Sequence, residues 1–445
     1  MHLAQQIAFL VLLFSAIYLF ARQVRKISRN INLGREKDLS DQPGKRWNNL
    51  ILLALGQKKM FRKPLVGVMH LIIYAGFIII NIEVLEIVLD GVFGTHRLFA
   101  PYLGNFYSFL INFFEILALG VIAVCIGFLA RRNILHIRRF RQHELDGWPR
   151  SDANFILITE IVLMSLFLTM NASDRALQLK SYPGYHEHLF YMSGYLSSGL
   201  NNLSAHSLLI LERSCWWLHI AGILAFLNYL PYSKHLHIIL AFPNAYFKPL
   251  EPKGKMDNMK HVEQEVIYMF KPETVVEAAP VAEHPEFPHT QFGAKDVFDL
   301  SWKNLLDAYS CTECGRCTAA CPANITGKVL SPRKIMMDTR DRMEEVGKIL
   351  DKHSGWQADN KTLLHDYITT EELRACTSCN ACVEECPVSI SPLDIILQLR
   401  RELVMEESNA PQEWNGMFSN IENNFAPWKF SPDERDQWAT EMNNA

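Results

Sequence analysis

Eight of the ten cysteines stand in two near-identical runs, Cys311-Thr-Glu-Cys314-Gly-Arg-Cys317-Thr-Ala-Ala-Cys321-Pro322 and Cys376-Thr-Ser-Cys379-Asn-Ala-Cys382-Val-Glu-Glu-Cys386-Pro387. Three thiolates at this spacing can close over three corners of a cuboidal iron–sulfur cluster. A fourth, just before a proline, points away to a neighbouring cluster. The pattern predicts interlocked ligand sets: Cys311, Cys314, Cys317 and Cys386 for one [4Fe–4S] cluster, and Cys376, Cys379, Cys382 and Cys321 for the second. The competing chemistry is a pair of zinc sites, which ordinarily draw on well-separated ligand pairs and not on a four-cysteine run ending in proline. A disulfide framework belongs to an oxidising compartment, and such packed cysteines suit a reducing one.

The second group of chemistry-bearing residues is histidine within apolar sequence. The first 240 residues hold long apolar runs, at about 3–21, 65–89, 106–130, 154–171 and 207–230, the last extending past Pro231 towards Ala241. Each is long enough for a bilayer core, which takes roughly 20 helical residues. The first is read as an anchor, because its basic residues follow the apolar stretch where a secretory signal would have them precede it. His70 lies near the start of the second span, and His219 and His237 lie 18 residues apart in the fifth. In an unbroken helix those two share a face about 27 Å apart, while His235 points elsewhere and is read as an interfacial histidine in water. A haem held by two imidazoles needs one from each of two facing helices. Glu83, Glu86 and Glu115 occupy the far parts of the second and third spans, where a buried carboxyl serves proton handling and an interfacial one simply meets water. Cys125 and Cys215 read as inert packing residues.

Positive loops stay in the cytoplasm. The segment 22–63 carries twelve Lys and Arg and 131–150 carries six, against few in 90–105 and 171–206. Five spans then put everything after about residue 241 in the cytoplasm, in agreement with the redox state implied by the cysteines. The formal charge of -3 gives no nucleic-acid signal, and no glycine-rich nucleotide motif is present. Residues 242–294 read as a proline-interrupted linker or strap. Ser331-Pro332 and Ser391-Pro392 each read as a helix cap followed by its first residue. Fifty-four residues separate Cys321 from Cys376, room for inserted helices. The expected architecture is all-α: a membrane domain over 1–241, the linker, an α-helical ferredoxin domain over 295–408, and a tail over 409–445 in which Trp414, Trp428 and Trp438 serve as docking anchors.

The run from His219 through Pro231-Tyr-Ser-Lys-His-Leu to His237 resembles the fifth helix of the respiratory nitrate reductase gamma-subunit family, where two histidines at this spacing ligate two b haems. In that family the second helix supplies two more, ten residues apart; His70 matches the first, and the second position is Ile80. The resemblance implies one haem b between His70 and His237 near the cytoplasmic side, and leaves His219 for a second haem whose other ligand the sequence does not supply. From Trp302 through both cysteine runs to Trp438 the chain is similar to membrane-bound heterodisulfide-reductase-like proteins, including those proposed to link electron-transfer flavoprotein to quinone. In many of these a haem-b membrane domain precedes the helical ferredoxin. They usually continue into Cys-Cys repeats that carry the catalytic cluster, and this sequence has none, so the resemblance implies a separate Cys-Cys-repeat iron–sulfur subunit as partner. The function expected is electron transfer between a cytoplasmic oxidoreductase and quinone in the bacterial plasma membrane. The rivals are a self-sufficient membrane oxidoreductase acting on a small cytoplasmic substrate, which no flavin or acid–base motif supports, and an iron–sulfur redox sensor.

Overall fold

The computed structural model describes residues 3–185, 190–252, 254–272, 292–353 and 355–444. Among the described residues five helices are long and apolar enough to cross a membrane: α1 (Leu3–Ile31), α2 (Pro64–Phe93), α3 (Asn105–Asn133), α4 (Trp148–Leu179) and α5 (Ala205–Tyr229). Each follows from its sequence. Proline opens α2, where its missing N–H is not needed, and Gly94, in the left-handed region at φ 73°, closes it by bonding back to the Asp90 carbonyl. Ser204 caps α5 by accepting from the Ser207 N–H. The helices pack in a closed ring, each against the next in the chain and α5 against α1. Leu65, Phe109 and Leu218 point outward and are largely exposed, which in water would be an extended apolar surface and in lipid is a matched one.

The fifth span is not an unbroken helix to Ala241. It stops at Tyr229 and passes through 3-10 turns at Leu230–Tyr232 and Lys234–Leu236 before α6 (His237–Tyr246) begins. Pro231 lacks the N–H to continue the ladder, and Ser233 is extended (φ -119°, ψ 159°), its hydroxyl accepting from the His235 N–H. Asp152 on α4 holds the break by accepting from the Tyr229 hydroxyl and the Lys234 N–H. The shared-face argument for His219 and His237 therefore does not apply.

The second half is helical too, and no β-strand occurs among the described residues. Its core is built on α7 (Trp302–Ser310), α8 (Arg316–Ala320), α9 (Pro332–His353), α10 (Ala381–Glu385) and α11 (Pro392–Arg401). Ser391 accepts from the Asp394 N–H at the head of α11, and Ser331 from the Lys334 N–H at that of α9. Within 242–294 the chain forms a helix at Lys260–Phe270, so the strap is helical in part; Pro280, Pro285 and Pro288 lie outside the described residues. Ile27 and Leu33, at the end of α1, belong to the same buried core as α7 and α9. Asn30 there donates to the Tyr309 hydroxyl at 3.0 Å, and Lys26 and Arg29 both pair with Asp351 at 2.5 Å. Gly34 lies so close to the backbone of 300–302 that a Cβ would come within 2.7 Å of it, which lets the Arg35 N–H donate to the Leu300 carbonyl and the Arg35 carbonyl accept from the Trp302 N–H. The membrane helices and the cysteine-bearing half are thus one packed body.

Candidate redox centres

Each cysteine run begins at the end of a helix and turns through a left-handed residue into a single helical turn. Cys311 caps α7, Gly315 (φ 69°) turns the chain, and α8 carries Cys317. In the second run Asn380 (φ 61°) does the same before α10 carries Cys382. The parallel matters because α8 packs on α10, which faces the two runs towards each other. One cavity is lined by Cys311, Cys314, Cys317 and Cys386, and another by Cys321, Cys376, Cys379 and Cys382. The last cysteine of each run thus sits with the first three of the other. Burial pushes the Cys311, Cys382 and Cys386 thiols up to about 12, and such groups must surrender a proton to bind metal. The Ser378 N–H donates to Cys376 Sγ at 3.4 Å and the Ile390 N–H to Cys386 Sγ at 3.3 Å. Four thiols converging on a cavity with N–H donors to sulfur is a donor set that fits a [4Fe–4S] cluster.

The surroundings of the two cavities differ. Arg316 and Arg333, both buried, line the first. The Arg333 guanidinium lies against Gly315, where a Cβ would meet it at 2.5 Å. Among the described residues the second cavity has no charged residue lining it, and its Cys379 is exposed at the surface.

His70, His235 and His237 gather at the cysteine-bearing end of the bundle. His237 lies within electrostatic range of His70, and the His235 and His237 rings are 5.5 Å apart, edge to face. His235 is partly buried, against Phe226 and not in open water. The Nδ1 atoms of three histidines each meet a carbonyl oxygen: His70 that of the Gln57 side chain at 3.0 Å, His237 that of Lys234 at 2.9 Å, and His219 that of Leu163 at 2.9 Å. A proton held on Nδ1 leaves Nε2 as the lone-pair nitrogen, the usual arrangement of a metal-ligating imidazole. Among the described residues the ring of His235 has no such acceptor. On this criterion His70, His237 and His219 fit haem ligation, and His219 stands apart from the other two, buried against Phe167.

Sequence reading passed over the residues that tie these histidines to the cysteines. Lys59 donates from Nζ to the Cys386 carbonyl at 3.1 Å, its own carbonyl accepts from Arg316 at 3.3 Å, and two residues before it stands Gln57, the partner of His70. Lys234, whose carbonyl faces His237, pairs through Nζ with Glu313 at 2.5 Å, between Cys311 and Cys314. In the sequence Lys59 counts only among the basic residues of segment 22–63, and Lys234 only as the basic residue of the run between His219 and His237.

Glu86 and Glu115 are buried, so the interfacial reading of these carboxyls does not hold. Arg97 donates to Asp174 at 2.7 Å, Asn171 at 2.8 Å and Tyr107 at 3.0 Å; Tyr107 donates to Glu86, and Asn171 and Ser193 donate to Glu115. Glu83, 3% exposed, has neither carboxyl oxygen hydrogen-bonded among the described residues. This polar network lies at the bundle end opposite the cysteines.

A family profile described as a 4Fe-4S dicluster domain matches residues 310–390. The chain is 28% identical over 477 aligned residues to the probable iron-sulfur-binding oxidoreductase FadF of Bacillus subtilis, an alignment covering all of this chain and 62% of that protein. It is 27% identical over 431 residues to the EtfAB:quinone oxidoreductase of Syntrophomonas wolfei, covering 90% of this chain and 55% of that protein. It is 36% identical over 120 residues to one component of the ferredoxin/F(420)H(2)-dependent CoB-CoM heterodisulfide reductase of Methanosarcina acetivorans, covering 27% of this chain and 60% of that component. The chain therefore spans 55–62% of the length of the first two relatives. No solved structure matches. Dicluster domain, apolar helices and relatives together support an iron–sulfur, electron-transfer protein of a membrane.

Proposed function

We propose that the chain passes electrons between a cytoplasmic redox protein and membrane quinone. Cys311, Cys314, Cys317 and Cys386 would hold one [4Fe–4S] cluster, Cys321, Cys376, Cys379 and Cys382 the second, and His70 with His237 a haem b. The observation that carries this reading is the double link from the first cavity to the histidines, through Lys59 and Gln57 to His70 and through Glu313 and Lys234 to His237. When bound, the clusters and haem supply one-electron chemistry, and the protein supplies placement and tuning. Exposed Cys379 makes the second cavity the approachable one, so the order is partner, second cavity, first cavity, His70 and His237. His219 would serve a second haem deeper in the bundle.

At the far end, Glu83 and the Arg97 network would exchange the protons that quinone reduction consumes, since a carboxyl buried within a membrane is costly unless it pairs or serves a proton or substrate path. A Cys-Cys-repeat iron–sulfur protein and electron-transfer flavoprotein are the partners this reading favours, and the bacterial plasma membrane, with the cysteine-bearing half in the cytoplasm, is its location. Purified protein should contain about eight non-haem iron and eight acid-labile sulfide per chain, show a b-type haem band on dithionite reduction, and lose that band on adding a quinone analogue. Clusters without any haem band would overturn the quinone route and favour a redox sensor.

A further inference from the structure

One cavity lies away from the cysteines and histidines. It has a volume of about 530 Å³, opens to the outside, and is lined by Arg132, Asn133, Arg141 and Arg150. Arg132 and Asn133 are the last two residues of α3, Arg150 is in the first turn of α4, and Arg141 is in the loop between. Among the described residues none of the three arginines has a carboxylate at ion-pair distance, and Arg132 Nε is buried without an acceptor. Three guanidinium groups around one space repel one another unless an anion joins them. A phosphodiester suits them best, because the planar fork of arginine matches two phosphate oxygens at once.

The position says which phosphate. The cavity sits where two apolar helices end, and Ile134, Leu135, Trp148 and Phe155 around it expose apolar surface. Indole at a helix end is typical of the membrane–water boundary, the depth at which phospholipid headgroups lie. We propose that this cavity binds the phosphate of an anionic phospholipid, its acyl chains lying along the exposed apolar residues beside it. The site bears on the redox half directly. The loop it would brace, 134–147, also carries Arg139, whose carbonyl accepts from Arg333 at 2.7 Å, and Glu144, whose carboxylate accepts from Arg333 at 2.7 Å and from Ser331 at 2.6 Å. Arg333 lines the first cysteine cavity. A lipid seated here would fix the loop that joins the membrane helices to that cavity.

The test uses the full chain purified in a neutral detergent, and does not depend on whether the cysteines are loaded. Native mass spectrometry should show phosphatidylglycerol retained in preference to phosphatidylcholine, with a raised thermal midpoint in its presence. Each basic residue near an anionic lipid contributes about fivefold, so Arg132→Gln/Arg141→Gln/Arg150→Gln should weaken phosphatidylglycerol retention roughly 100-fold. Arg132→Lys/Arg141→Lys/Arg150→Lys should keep the preference in weakened form; if the Gln variant does not fold, an unweakened preference in the Lys variant overturns the site. Equal retention of the two lipids by the unaltered protein, or an unchanged preference in the Gln variant, overturns the site. If millimolar inorganic phosphate gives the same stabilisation as the lipid and competes with it, the cavity binds free anion and the lipid assignment is wrong.

Discussion

At the scale of single residues, the proposed haem ligands share a bond from their other nitrogen, of the kind that orients a ligating imidazole. His70 and His237 each hold Nδ1 against a carbonyl oxygen and lie near one another. His70→Ala and His237→Ala should therefore each abolish the reduced b-haem absorbance, and His235→Ala should leave it. Gln57→Leu should keep the ligand but loosen it, lowering haem affinity by roughly 10–100-fold; an unaltered haem titration in that variant would remove Gln57 from the site. For the cysteines, Cys321→Ser should chiefly damage the centre formed with Cys376, Cys379 and Cys382, and paramagnetic resonance distinguishes this from damage to the centre of its own run. The cysteine grouping was legible beforehand because spacing and the trailing prolines are local signals. Gln57, Lys59 and Lys234 were not, since their bonds reach 13, 327 and 79 residues along the chain, and nothing in the surrounding sequence periodicity marks them.

At the scale of elements, the five membrane helices were readable from composition, because length and hydropathy alone decide whether a helix can cross a bilayer. The end of the fifth was not. A proline within an apolar run permits either a kink or a stop, and the outcome depends on Asp152, about 80 residues away, being there to take the Lys234 N–H. Burial of Glu86 and Glu115 was hidden for the same reason: their partners Tyr107, Asn171 and Ser193 come from other segments. In the cysteine-bearing half, α9 is pinned by Arg342, fully buried, which pairs with Asp296 at 2.6 Å and Asp359 at 2.5 Å and donates to the Lys361 carbonyl at 2.7 Å. Asp296 in turn caps the turn before α7 and accepts from the Leu363 N–H. Arg342→Met leaves Asp296 buried and unpaired, a loss of about 3–5 kcal/mol. The expected result is a clear fall in the thermal midpoint together with loss of iron on gel filtration. Full retention of both would mean that α9 is held by its apolar face alone.

At the scale of the whole molecule, the packing of α1 into the core that surrounds α7 and α9 makes bundle and cysteine domain a single unit, and the tail helices stand outside it. The helices Gln412–Asn424 and Gln437–Asn444 have no buried residue. On the first, Trp414, Met417, Phe418 and Ile421 recur at helical spacing and are 36–45% exposed, and Trp428 and Trp438 beyond it are more so. An apolar stripe of this kind on a polar segment suits a partner surface, with tryptophan as anchor, and a chain read as an electron conduit requires a protein with which to exchange electrons. The segment joins the domain at Asn409, which Arg374 holds through both its backbone and side-chain oxygens. Deleting residues 411–445 keeps that clamp, so iron, sulfide and haem content should match those of the full chain. Capture of the redox partner from solubilised membranes should fall at least about tenfold, the loss expected on removing one anchor residue or more, and electron delivery to quinone from that partner should fall with it, while reduction by dithionite stays the same. Undiminished capture by the truncated chain would move the docking surface to the region around exposed Cys379, and loss of iron on truncation would mean that the tail packs on its own domain.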